Sequence, residues 1–489
     1  MHNPNNKRSN NKQQTTNNKH NLEIRHLPWQ HRTIDKLYTT TKVLHTSSIM
    51  SSLTPSNLIL DRPVKATADD AMVAKLATTH SGYYVDPFLD AMIRNPVVGS
   101  TGRERPAGAA FNQNIHMGRR RTIQPIIKRG THARVCVMDR AISTFLKTTT
   151  TTQTKNIQIV NLGCGKDTSY FRYRNGNIMG MERADEQDEM KMASPEEKRA
   201  AAAAAAQEHM EHEHEYEYGY DKQVHWYEVD HKSVIKEKAS LIQNSNLLSS
   251  YCPQLIKTKN GYECKSTTFS SSSYHLVGHD LRESPAKLLE KLKLDPTLPT
   301  LYIMECVSMY VPISASKKLL QAISVSADNT FFACYEPILD SNSSSNSNNS
   351  SSDPFGRVME QNLVKIGVAS PECCLLQTRT LQDQLEKLIE CGFVRAVGCD
   401  MWSAYETIVT DDQRKRANQS EFLDEYEEWV LIMRHYCFVV ARGGRSPDQH
   451  QHNQENIIDL TTILDHKEEK SSSLGWMLGK CLELEKSKE

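Results

Sequence analysis

The sequence predicts an α/β fold, a doubly wound and mostly parallel sheet with helices on both faces and extra helices ahead of it. Three observations lead there. Short β-rich runs alternate with helical patterns. The first run ends in a glycine pair, Gly163 and Gly165. Later runs end in acids, at Asp230, Asp280 and Glu305. Alternation favours parallel strands because a parallel return needs a crossover, usually a helix.

In chain order, Asp69–His80 and Arg134–Leu146 carry helical patterns and precede the sheet. Strands are expected at Ile157–Leu162, Val224–Val229, Tyr274–Gly278, Leu301–Met304, Thr330–Tyr335 and Tyr436–Ala441. Helices are expected between them at Pro285–Leu292, Ser314–Val325 and Thr380–Cys391.

Low-complexity segments interrupt this pattern. Residues 1–65 read as a disordered polar tail: the first 60 carry only Glu23 and Asp35 as acids against eight Lys and Arg. The same acid-poor composition also fits an organelle transit peptide, and Met50 is a second candidate start. Residues 175–222 form a polar insert with seven alanines (Ala200–Ala206) and a Glu/His run from Glu211 to Glu215. Ser194-Pro195-Glu196-Glu197 ahead of the alanines has the residues of a helix start. The Glu/His run lacks fixed ligand spacing, so a solvated helix is expected there and no metal site. A Ser/Asn insert follows at 340–352, and 447–489 is a polar C-terminal tail with an amphipathic stretch at Ile457–Leu464. What remains, within 66–446, suffices for one large domain.

Composition narrows the function classes. Lys+Arg and Asp+Glu are both 59, so the chain lacks the basic field of a general nucleic-acid binder. Hydrophobic residues make up only 38%, a deficit the polar segments account for. No apolar run reaches the roughly 18 residues of a membrane span. The twelve cysteines form no CxxC pair and read as reduced thiols of a cytoplasmic protein.

The chemistry-bearing motif is Val160-Asn161-Leu162-Gly163-Cys164-Gly165-Lys166-Asp167-Thr168. Two glycines let the backbone turn sharply and approach a ligand closely, although the full GxGxxG is absent. In nucleotide-binding doubly wound folds an acid about 20 residues later, at the end of the second strand, takes ribose hydroxyls. Asp230 lies 67 positions after Gly163, and subtracting the polar insert restores that spacing. Asp280 and Glu305 end strands at the same edge, where ligands of parallel sheets bind. Singly, each acid could cap a helix.

Together these features resemble the leucine carboxyl methyltransferase family. The likeness rests on Asp69-Asp70-Ala71 through Lys75, Gly82-Tyr83-Tyr84-Val85-Asp86-Pro87, Lys128-Arg129-Gly130 through Arg134, the Gly163 motif, Glu228-Val229-Asp230, Asp280-Leu281-Arg282, Glu305-Cys306-Val307 with Tyr310, Asp353-Pro354-Phe355-Gly356, Glu421–Glu425 and Met433–Cys437. It spans about Ala68 to Gly443 and skips both inserts.

The resemblance implies a seven-stranded sheet of the S-adenosylmethionine-dependent methyltransferase type and S-adenosylmethionine as cofactor. It implies methyl-ester formation on the C-terminal leucine α-carboxylate of the type-2A protein phosphatase catalytic subunit, the expected partner. Lys75, Arg134, Gly163, Asp230, Asp280, Leu281 and Glu305 match cofactor-binding positions of the family. A terminal carboxylate, with a pKa near 3.5, is already ionised at pH 7, so no general base is expected. Proximity and desolvation would carry the catalysis. Arg134 suits gripping a carboxylate, the cofactor's, the substrate's or both, and Tyr310 is a candidate substrate contact or a core tyrosine. Two alternatives stand beside this. One is the related tRNA-modifying branch acting on a wybutosine precursor, which carries a kelch propeller that this tail is too short to form. The other is a catalytically inactive, cofactor-binding scaffold.

Overall fold

The computed structural model describes residues 57–93, 95–98, 104–107, 123–150, 156–179, 223–265, 272–341, 353–365, 367, 369–444 and 482–485. The chain divides into units 1–51 and 52–489, and every described residue lies in the second. Helix α1 (Asn57–His80) and short α2 (Leu89–Ile93) come first, then a hairpin of β1 (Asn95–Val98) and β2 (Glu104–Ala107), then α3 (Pro125–Thr150). Next are β3 (Asn156–Leu162), α4 (Ser169–Arg174), β4 (Gln223–Asp230), α5 (Lys232–Asn244) and α6 (Asn246–Tyr251). Strands β5 (Ile256–Lys257), β6 (Gly261–Lys265) and β7 (Ser273–Gly278) follow, then α7 (Pro285–Leu292), β8 (Thr300–Glu305), α8 (Ile313–Ser324) and β9 (Thr330–Pro337). The remainder is α9 (Pro354–Lys365), α10 (Cys374–Gln377), α11 (Leu381–Glu390), β10 (Arg395–Asp400), α12 (Met401–Thr407), α13 (Asp411–Ser420), α14 (Tyr426–Met433), β11 (Tyr436–Gly443) and β12 (Leu482–Glu485).

The sheet order is β12-β10-β11-β9-β8-β3-β4-β7-β6-β5. Strands β7, β4, β3, β8 and β9 are parallel, whereas β11 is antiparallel to both β9 and β10. Numbered in chain order, the seven principal strands read 3-2-1-4-5-7-6 across the sheet. The chain runs from β3 outward to β4 and β7, then crosses back to β8 on the other side. The order therefore reverses between β3 and β8, the kind of switch point where open α/β sheets bind ligands.

The six expected strands and the helices expected at Pro285–Leu292, Ser314–Val325 and Thr380–Cys391 are present, each shifted by two residues or fewer at its ends. The two leading helices are longer than expected, Asn57–His80 in place of Asp69–His80 and Pro125–Thr150 in place of Arg134–Leu146. The described sheet has ten strands rather than seven, because β5 and β6 extend one edge and β12 the other. Strand β10 carries no sequence signal: Gly398 and flanking charges weaken its β pattern. Pairing with β11 and β12 makes it a strand, and a Cβ on Gly398 would stand 2.8 Å from Val439 Cγ2.

Alternate residues of each strand face opposite layers. Phe332 joins Tyr302, Val439 and Leu288 in the layer under α7, α8 and α11, while its neighbour Phe331 meets Phe145 of α3 on the other face at 5.6 Å. Helix α1 packs along α3.

The polar insert begins later than its composition suggests. Ile178 is fully buried, Met179 N–H donates to Asp139, and Tyr251 donates to Asn175 at 2.5 Å, so 175–179 belong to the core. The rest of that insert lies outside the described residues, as do 1–56, the stretch Ile457–Leu464 and 342–352. The ends of the Ser/Asn insert are tied together, with Ser341 Oγ donating to Asp353 at 2.7 Å. Helix α1 starts at Asn57, inside the segment assigned to the polar tail.

Candidate functional site

Register decides which residues meet at the carboxyl edge. Leu162 pairs with Val229 on one side and Met304 on the other, so Gly163 is level with Asp230 and Glu305. Gly163 has φ +74° and donates to Val229 O at 2.8 Å. A Cβ there would lie 2.5 Å from Val307 Cγ2, so the turn tolerates no side chain. Gly165, φ +50°, donates its N–H to Asp230 Oδ2 at 2.8 Å, and His231 N–H donates to Oδ1 at 2.6 Å. Asp230 thus bridges the glycine turn and its own strand end. Burial outweighs these two donors and pushes its carboxyl up.

Lys75, Arg134 and Glu305, far apart in sequence, meet here. Lys75 Nζ lies 3.3 Å from Glu305 Oε2 and 3.0 Å from Asp167 Oδ1, and Arg134 Nε donates to Glu305 Oε1. Burial alone would raise Glu305, but Arg134 and Lys75 hold it below its usual range. Burial would likewise lower Lys75, yet Asp167 and Glu305 keep it raised. The Arg134 guanidinium also sits over the Tyr335 ring at 5.2 Å.

Asp280 and Leu281 lie one strand further out, beyond β7, whose edge is linked to β4 by His279 N–H to Asp230 O at 2.8 Å. Asp280 is engaged by Arg282, through the backbone N–H at 2.9 Å and the guanidinium at 2.6 Å. Burial would raise that carboxyl, but these bonds hold it low. Leu281 is buried in the apolar layer. Tyr310 ends the short 3-10 turn after Glu305, where burial pushes its hydroxyl up despite a bond with Thr67.

Asp167, on the glycine loop itself, ends no strand and so escapes the strand-end criterion that singles out Asp230. Its second oxygen accepts from Asn161 Nδ2 at 3.3 Å and Ser169 N–H at 3.2 Å. Lys238 grips its carbonyl at 2.6 Å from beneath. Lys238 is itself paired with Glu228 at 2.5 Å, both fully buried, and Tyr274 donates to the same carboxylate at 2.6 Å. No local pattern announces this support.

A second ionic cluster adjoins the first. Arg172 clasps Asp139 with two bonds, 2.6 and 2.8 Å, and Asp86 lies 3.5 Å from its Nε. Thr168 donates to Asp86 at 2.5 Å. Lys128 and Arg129 do a third job. Lys128 pairs with Glu421, and Arg129 bonds Asn418 Oδ1 and the carbonyls of Ala417 and Glu421, fastening the last turn of α13 and the residue after it onto α3. Among the described residues no cluster of His, Cys, Asp or Glu could hold a metal, no disulfide is present, and no helix is long and apolar enough to cross a membrane.

A family model described as leucine carboxyl methyltransferase matches residues 64–185 and 215–324, leaving out the middle of the polar insert. The chain is 25% identical over 390 residues to leucine carboxyl methyltransferase 1 of Yarrowia lipolytica, covering 79% of this chain and 98% of that protein. It is 27% identical over 385 residues to the Arabidopsis thaliana leucine carboxyl methyltransferase 1 homolog, covering 77% and 88%. It is also 24% identical over 384 residues to tRNA wybutosine-synthesizing protein 4 of Rattus norvegicus, covering 78% of this chain but 44% of that protein. A geranyl diphosphate methyltransferase structure with SAM aligns at 11% identity over 63% of this chain and 85% of that one. Its TM-score of 0.29 is too low to add to the strand order already described.

Proposed function

The chain belongs to the leucine carboxyl methyltransferase family, and we propose that it is an S-adenosylmethionine-dependent enzyme that esterifies the C-terminal leucine α-carboxylate of the type-2A protein phosphatase catalytic subunit. The observation that carries this reading is the convergence of Lys75 and Arg134 on one carboxylate at the switch point of the sheet. Two cations held there by Glu305 and Asp167 are suited to an amino-acid moiety, whose carboxylate they can take while Glu305 takes its ammonium. Asp230 accepts only two backbone bonds, one on each oxygen, which leaves lone pairs for vicinal hydroxyls. The Asp280–Leu281 turn lies beside it, a polar edge next to an apolar side chain, suited to a heterocycle. The donor set therefore fits the cofactor, which when bound supplies an electrophilic methyl group on a sulfonium.

The chain's own work is binding, orientation and exclusion of water. The acceptor carboxylate is ionised at pH 7, so no residue need remove a proton. Arg134 offers a planar guanidinium braced by Glu305 and Tyr335, and Tyr310 offers a hydroxyl on the adjoining turn.

The test is methyl transfer from labelled cofactor to purified phosphatase catalytic subunit. Whole phosphatase should exceed its free terminal peptide by on the order of tenfold, because contacts beyond the tail add binding and restrict its freedom. A subunit lacking the terminal leucine should receive no label. Labelling of tRNA with none of the phosphatase would overturn the substrate and leave the family standing.

A further inference from the structure

We propose that Glu336, a residue absent from every sequence motif considered above, is a positioning residue for this site. It holds the strand-end loop 305–310 in the bent conformation that presents Glu305, Val307 and Tyr310. The role assigned to the loop rests on the proposed function.

Glu336 is the penultimate residue of β9 and is 1% exposed. Its Oε1 accepts two consecutive backbone N–H groups, Val307 at 3.1 Å and Ser308 at 2.8 Å. Those two residues follow Cys306, which stands at φ +55°. A residue with a Cβ adopts that left-handed conformation only when its surroundings over-determine it. Here the grip comes from both sides: Cys306 N–H donates to Tyr335 O at 2.8 Å, and the next two N–H groups are taken by Glu336. Past the turn those groups no longer face a strand, and unmade bonds in a buried turn are costly.

The bend has three consequences. It turns the loop away from the sheet directly after Glu305, which meets Lys75 and Arg134. It brings Val307 into the space that Gly163 leaves open, 2.5 Å from where a Cβ would be. It starts the 3-10 turn that carries Tyr310, whose N–H donates to Val307 O at 3.1 Å. One buried carboxylate thus fixes a cofactor-side acid, the packing of the glycine turn and the candidate acceptor-side tyrosine. Bonds to an ionised acceptor are stronger than neutral ones, which gives a reason for a carboxylate where an amide would also accept. Burial pushes the Glu336 carboxyl up, and the Ser308 N–H and the Lys387 charge on α11 oppose that shift.

The test uses the full chain with Glu336→Ala, Glu336→Gln and the double variant Glu336→Ala/Cys306→Gly. Calorimetry gives the cofactor Kd, initial rates on the phosphatase subunit give kcat and KM, and hydrogen exchange reads protection of segment 305–310. Glu336→Ala should weaken cofactor binding by on the order of tenfold and lose loop protection. Glu336→Gln should recover most of both, since its amide oxygen can accept the same two N–H groups. Cys306→Gly should recover part of the alanine defect, because glycine adopts φ +55° without strain. Unchanged Kd, KM and protection in Glu336→Ala would overturn the proposal. So would glutamine as damaging as alanine, or a double variant no better than the alanine single. If alanine does not fold, the glutamine variant still decides through protection and Kd. Failure of the wild-type chain to methylate the phosphatase would instead strike the proposed substrate, while loop protection continues to test Glu336.

Discussion

The site cluster (Lys75, Asp167, Arg134, Glu305) and the neighbouring cluster (Asp86, Arg172, Asp139) are built from the same chemistry and share their supports. Helix α3 supplies Arg134 to one and Asp139 to the other, and the adjacent residues Asp167 and Thr168 divide between them. They differ in closure. The side chains of Arg134 and Glu305 keep 19% and 16% of their exposure, whereas those of Arg172, Asp86 and Asp139 keep 3%, 1% and 0%. The sealed cluster cannot trade partners without exposing a buried charge, so it acts as a brace between the 82–88 segment, α3 and α4. The open one keeps solvent access to its ion pair, as the proposed cofactor-binding role requires. Asp86 shows the cost of sealing: burial outweighs Arg172 and Thr168 and pushes its carboxyl up to about 6.

The largest expected effect tests the brace. Arg172→Met leaves Asp86 and Asp139 buried without a counter-charge and should cost about 3–5 kcal/mol in urea denaturation. Glu305→Gln should cost only about 1–2 kcal/mol in the same measurement, since Lys75 keeps Asp167. Equal losses would erase the distinction between the clusters.

Next comes the converse, loss of binding without loss of fold. Asp230→Ala should weaken S-adenosylmethionine by about 1–3 kcal/mol in titration calorimetry. An unchanged Kd in a folded variant would remove Asp230 from the binding edge.

The third prediction concerns the helix common to both clusters. His132 of α3 is fully buried, and burial followed by Arg416 and Arg129 pushes its pKa down to about 3. Between about 6.5 and 3 the unfolded chain binds a proton that the folded chain does not. The stability from this group is therefore complete above 6.5 and is lost as pH falls, by about 1.4 kcal/mol per pH unit. His132→Gln should remove about 2 kcal/mol of the fall in unfolding free energy between about pH 6.5 and pH 5, relative to wild type. Parallel profiles would show that the buried ring takes up a proton in the folded state.

The smallest effect is expected away from both clusters. Replacing 342–352 by a short Gly/Ser link should change stability by less than about 1 kcal/mol, because Ser341 and Asp353 already hold the ends together. A larger loss in thermal unfolding would mean that the Ser/Asn segment supports α9.

The site was partly legible in the sequence. Gly163, Asp230, Asp280 and Glu305 follow strands whose β-rich runs are unmistakable, and parallel strands bring their carboxyl ends to one edge. Lys75 and Arg134 came only through the family resemblance, because nothing in a helix's own residues states which strand end it faces. Asp139 and Arg172, on different helices, and Glu336, inside a fully buried strand, gave no local signal. Each looks like an ordinary charge until its partner is placed beside it.

By itself the sequence determined six central strands and the helices between several of them, the glycine turn and the row of strand-end acids, since all of these arise from short-range periodicity and backbone preference. The tertiary structure decided the rest. It made β10 a strand through two neighbours, began the polar insert after Met179, held Cys306 in a left-handed turn and chose the partners of every buried charge. Lys75 meets Asp167 across 92 positions and Glu305 across 230. Such pairings depend on sheet order and helix placement, which no local window of sequence contains. Once buried, a charge must find a partner or carry a heavy desolvation cost, and packing settles which partner it finds.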